Sequence, residues 1–152
     1  MSALKLEIAY DFDFELIGIV SSAPAYQVVW SINNSLNIDL YKHKDIELNF
    51  TTKKVVVSNY LFKETYSYIR LFKNQSSEET IVDNKLSLFD ERKREFFLPE
   101  LKKYDFIIQL EGTVNNLHAD LIISKLKEIG KIQFVTLIDL NDIKEKDNLI
   151  FE

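Results

Sequence analysis

Leu4, Leu6, Ile8, Tyr10, Phe12, Phe14 and Leu16 alternate with Lys5, Glu7, Asp11, Asp13 and Glu15, a two-residue period that puts the apolar set on one face of extended chain. The run is longer than an ordinary strand, so a bend is expected near Asp11 to Asp13. Leu16-Ile17-Gly18-Ile19-Val20 should then lie inside a sheet, with Gly18 marking a bulge or a close backbone approach. The period next changes to that of a helix: Ala25, Val28, Val29, Ile32 and Leu36 form one stripe. Ser21-Ser22-Ala23-Pro24 reads as its start and Asn37 as its left-handed cap. Trp30 falls off the centre of the stripe and is expected at a partly buried edge.

Ile46 to Phe50 alternates again, Thr51-Thr52-Lys53-Lys54 is a polar turn, and Val55 to Phe62 is rich in β-branched and aromatic residues, which together predict a hairpin. A further strand over Tyr66 to Phe72 would place Tyr66, Tyr68, Arg70 and Phe72 on one face and Ile69 and Leu71 on the other. Residues 74–95 lose periodicity and gain charge, the expected mobile loop. After Pro99, one helical turn or a tight loop leads into a strand from Tyr104 to Leu110, whose run Phe106-Ile107-Ile108 predicts burial on both faces. Asn115 or Asn116 can cap a second helix with Leu117, Leu121, Ile122, Leu126 and Ile129 turned inward, and Gly130 stands just past its end. Phe134 to Ile138 returns as strand. Strand, helix and strand over about 35 residues has the size of a crossover unit, so these two strands are expected to pair in parallel.

The expectation is therefore one α+β domain over residues 1–152. It has a mixed, largely antiparallel sheet of about five strands and two helices packed on one face, a ferredoxin-like plan with an extra strand. Each helix has a single apolar stripe and belongs outside the sheet, while the strand from Tyr104 belongs at its centre.

Leu98-Pro99-Glu100, three residues, then Tyr104-Asp105-Phe106 resembles the motif of the IPExxxVDY family of small bacterial proteins. Pro99, Glu100 and Asp105 match outright, and Leu98, Tyr104 and Phe106 are apolar or aromatic variants. Tyr10-Asp11-Phe12-Asp13-Phe14 resembles the family's early signature, so the two blocks bracket most of the chain. The family is named for its motif and not for an activity, so the resemblance implies kinship without a function. Within the motif, Pro99 can start a short turn whose free N–H groups one carboxylate caps.

Composition narrows the chemistry. At 152 residues and 46% hydrophobic, the chain has the length at which a domain buries roughly two thirds of its unfolded surface without staples. The lack of cysteine excludes disulfides, thiolate nucleophiles and Cys-ligated metal sites. The opening Met1-Ser2-Ala3-Leu4-Lys5-Leu6-Glu7 lacks a secretory pattern, and no apolar run approaches the roughly 20 residues of a membrane span, so a cytoplasmic address is expected. Three glycines leave no phosphate-cradling loop. The two histidines, His43 and His118, stand in no catalytic arrangement, and no cofactor is expected.

Three uses remain. The rings of Tyr66, Tyr68 and Phe72 with Arg70 make a sheet face that must be covered by the chain's own loop or by another molecule. Self-association or partner binding without catalysis is the expected use. Asp11, Asp13 and Glu15 would share one strand face about 7 Å apart. With Glu111 brought near, Asp11 and Asp13 could hold a hard cation or serve a metal- or small-anion-dependent enzyme. The same aromatic face could stack single-stranded RNA through Tyr66, Tyr68 and Phe72, although a net charge of -5 and only three arginines oppose it.

Overall fold

The computed structural model describes residues 13–49, 54–76, 96–144 and 146–151. The alternation before Asp13, the hairpin turn at 51–53 and most of the expected loop, residues 77–95, lie outside them.

Alternating runs become strands where the period is two. β1 spans Phe14–Val20, β2 Tyr41–Asn49, β3 Lys54–Lys63, β4 Tyr68–Lys73, β5 Phe106–Glu111 and β6 Phe134–Ile138. The two helical stripes become α1, Ala25–Leu36, and α2, Ala119–Leu126. Strand order is β2-β3-β4-β5-β1-β6, and every neighbouring pair is antiparallel. Within that order β6-β1-β5-β4, with one helix after β1 and one after β5, is the ferredoxin-like arrangement. The β2–β3 hairpin lengthens it beyond β4, giving six strands where about five were expected.

The expected parallel pairing of the last two strands does not form. β1 lies between β5 and β6 and pairs antiparallel with both, Ile17 facing Ile108 on one side and Leu137 on the other. The crossover through α2 thus spans an intervening strand. The size of the unit was legible, but the strand inserted into it comes from the far end of the sequence.

Both helices cover the sheet face that carries Ile17, Ile19, Ile69, Leu71, Ile108 and Leu110. α1 contributes Val28, Val29, Ile32 and Leu36, as its stripe predicts. Its N-cap is Pro24 rather than a serine, and Asn37 closes it in the left-handed region at φ 57°. Trp30 is 67% exposed, not partly buried. α2 begins after His118, not after an asparagine. Its inward set is Ala119, Ile122 and Leu126, while Leu121 faces out. Asn115, expected to cap α2, instead donates through Nδ2 to the carbonyls of Leu36 and Asn37, satisfying the end of α1.

The opposite sheet face is also covered. Phe97, Leu98, Leu101 and Tyr104 pack there with Ile143 and Leu149 against Phe14, Leu16, Val55, Val57, Phe72 and Ile107. The second layer is therefore made of chain without long helices: a 3-10 turn at Pro99–Leu101 and two more at Leu140–Asp142 and Lys146–Leu149. We refer to residues 140–151 as the strap. Among the described residues no helix is long and apolar enough to cross a membrane.

Candidate functional site

β4 alternates as its sequence dictates, with Ile69 and Leu71 in the helix-side core and Phe72 in the strap-side core. The aromatic face is thus real, but it is not open. Phe72 is fully buried and Arg70 only 9% exposed, whereas Tyr68 is half-buried. Tyr66 precedes the strand, in the turn between β3 and β4, and is 91% exposed. The expected row of four outward side chains is therefore divided. The cover is the chain itself: Phe151 sets its ring 6.1 Å from that of Phe72 and 6.3 Å from that of Phe97, and Phe72 and Phe97 meet edge to face at 5.4 Å.

A polar line crosses this otherwise apolar layer. Arg70 Nη1 donates to Asn59 Oδ1 at 3.1 Å, and Asn59 Nδ2 donates to the Lys44 carbonyl at 3.0 Å. That carbonyl lies where the β2–β3 register shifts between His43 and Ile46, so Asn59 serves a backbone group freed by the bulge. On the other side of Arg70, Gln109 stands directly opposite it on β5 and donates through Nε2 to the Leu149 carbonyl of the strap at 2.8 Å. Two buried polar atoms are left without a partner among the described residues, Arg70 Nε and Gln109 Oε1. One is a donor and the other an acceptor, on facing residues of adjacent strands.

The Arg70 guanidinium carbon lies 4.6 Å from the centre of the Phe151 ring and 5.7 Å from that of Tyr68, within cation–π range of both. Burial holds the Arg70 pKa below its ordinary value, with Tyr68 pulling the other way. The Tyr68 phenol is pushed up to about 12, first by burial and then by the negative charge of Glu111, which faces it across the β4–β5 ladder. At neutral pH the pair is thus a cation beside a neutral ring.

The residues of the family-like motif fix this layer in place. Pro99 opens its 3-10 turn. Glu100 does not cap that turn; its Oε2 accepts from the Lys144 N–H of the strap at 3.1 Å. Asp105 Oδ2 accepts from the Ser21 N–H beyond β1 at 2.9 Å. The residue that seats the motif was not foreseen. Asn74, fully buried at the end of β4, donates through Nδ2 to the carbonyls of Leu98 and Leu101 and accepts from the Leu98 N–H. Asn59, Gln109 and Phe151 were missed as well. A polar residue inside each apolar run, Asn59 beside Ser58 in β3 and Gln109 in β5, was the available signal for the first two.

The candidate carboxylates are dispersed. Asp11 lies outside the described residues, and Asp13 is exposed just before β1. Glu15 faces Leu110, on the helix side, whereas Glu111 faces Phe14 and Tyr68 on the strap side. No group of three His, Asp or Glu side chains able to hold a metal ion occurs among the described residues. The platform proposed for RNA stacking is not an open surface, since Phe72 is covered and Tyr66 leaves the strand. No protein-family model matches the chain, and no curated protein is similar enough to count as a relative.

Proposed function

We propose that the protein is a non-catalytic, cytoplasmic binding module whose recognition surface is the sheet face of Tyr68, Arg70 and Phe72. The strap residues 146–151 act as a resident occupant that a partner segment replaces. The partner is a protein segment with an aromatic ring for Arg70 and a carbonyl or carboxylate for its Nε. One observation carries this reading: beneath the strap, Arg70 Nε and Gln109 Oε1 are buried and unpartnered, which costs about 1–3 kcal/mol for each group left unsatisfied. A segment that met both would bind more tightly than the strap does. Among the described residues, one side-chain hydrogen bond ties residues 146–151 to the sheet, from Gln109 to the Leu149 carbonyl, and the rest of their attachment is the packing of Leu149 and Phe151. Glu100, in the segment that resembles the IPExxxVDY motif, ties that segment to the strap through the Lys144 N–H.

The test uses the strap as its own probe. A chain ending at Lys144 should bind a labelled peptide of residues 145–152 saturably, lose that binding on Arg70→Ala, and exceed the intact chain in affinity. A truncated chain with native circular dichroism that does not bind would contradict the proposal. Should truncation prevent folding, Phe151→Ala in the full chain is compared with the intact chain for peptide binding instead.

A further inference from the structure

The two edges of the sheet are built differently. β2 carries Lys42, Lys44, Asp45 and Glu47 and is interrupted by a register shift between His43 and Ile46. Charge and bulging are the means by which edge strands avoid pairing with other chains. β6, Phe-Val-Thr-Leu-Ile, has neither, no proline, and an unbroken register with β1. Two of its side chains face solvent, Phe134 at 52% and Leu137 at 48% exposure. They point to opposite sides of the sheet, so neither layer of the fold hides the edge.

We propose that two copies of this chain join edge to edge through β6, antiparallel about a two-fold axis at Thr136, so that both sheets become one. This register places Phe134 against Ile138 of the partner subunit on the strap side. On the helix side it places Leu137 against Val135 of the partner subunit. Each exposed side chain thereby meets one that is buried at the margin of a core. A groove of about 250 Å³ lined by Lys127, Ile132, Gln133, Phe134, Val135 and Thr136 runs along the same edge, and Leu137 of the partner subunit arrives at its Val135 wall.

Charge selects the same orientation. Lys125, Lys127 and Lys131 with Glu128 precede β6, a net positive end, and Asp139 and Asp142 with Lys144 follow it, a net negative one. An antiparallel dyad sets the basic end of each strand beside the acidic end of its mate, whereas a parallel contact would set like charges together. The occupant that matches both the apolar register and the flanking charges is therefore a second β6. This interface lies at the β6 edge and does not involve Tyr68, Arg70 or Phe72, so the two proposals are tested separately.

Because the chain has no cysteine, a single introduced thiol reports the axis. Residues opposed across an antiparallel pair have Cα atoms about 4.5–5.5 Å apart, within disulfide range. Thr136→Cys should oxidise to a covalent dimer, while Lys42→Cys on the opposite edge, under the same conditions, should not. Light scattering behind a sizing column should give a dimer for the intact chain. Thr136→Lys, which puts two ammonium groups on the axis, should give a monomer with unchanged circular dichroism. A monomeric intact chain at high micromolar concentration, a dimer that survives Thr136→Lys, or equal cross-linking of the two cysteine variants would each overturn the proposal.

Discussion

Tyr104 occupies the space that a side chain on Gly18 would need: an ideal Cβ there would stand 2.6 Å from the Tyr104 ring. The glycine in the middle of β1 therefore lets the motif tyrosine rest directly on the strand backbone. Gly18→Ala should destabilise the protein by about 1–3 kcal/mol, the usual cost of overpacking. Chemical denaturation would show this as a lower midpoint with an unchanged slope. In a Tyr104→Ala background, Gly18→Ala should cost less than it does in the parent, because the ring it would clash with is gone, and strict additivity of the two would argue against the contact.

Asn74 joins the end of β4 to the motif turn through three side-chain hydrogen bonds. Asn74→Ala would leave the Leu98 N–H buried without its acceptor, while the carbonyls of Leu98 and Leu101 keep their backbone donors, and a loss of about 1–3 kcal/mol is expected. Asn74→Asp should also destabilise at neutral pH, since an acceptor would face the carbonyls of Leu98 and Leu101. Thermal unfolding of both variants checks this; a Tm within a degree of the parent would refute it.

Tyr68 supplies a pH dependence with a definite sign. Its phenol is pushed up to about 12 from an ordinary value of 10. Below pH 10 the ring is neutral in both folded and unfolded chains, and its contribution to stability is fully present. Between pH 10 and about 12 only the unfolded chain ionises it, so stability falls as pH rises. Spectrophotometric titration should find one tyrosine ionising near pH 12, and Tyr68→Phe should flatten the decline across that window.

Phe151 holds the strap to Arg70. Phe151→Ala removes a cation–π contact and ring contacts with Phe72 and Phe97, so about 2 kcal/mol of local stability should go with it. Amide exchange should accelerate at Ile143 to Ile150 and stay slow in β1 and β5. Uniform acceleration across the sheet would mean that the strap is not a separable unit.

Elements and faces were legible in the sequence because they depend on local geometry. The two-residue period separated Ile69 and Leu71 from Tyr68, Arg70 and Phe72, and the helical stripe identified the buried side of α1. Asn37 announced a left-handed cap, and Gly18 a bulge or a close approach, of which the second is found. These follow from backbone dihedrals and the direction of each Cβ. Such properties need no knowledge of what lies across the sheet.

Tertiary structure decided which elements meet. It inserted β1 between β5 and β6, gave Asn115 to the end of α1, set Arg70 opposite Gln109, and closed the aromatic face with the chain's own last residues. Each outcome is the sum of many weak contacts between residues far apart in sequence, compared with the alternatives the same faces would allow. A periodic pattern states that a face must be buried. Only the assembled chain chooses what buries it.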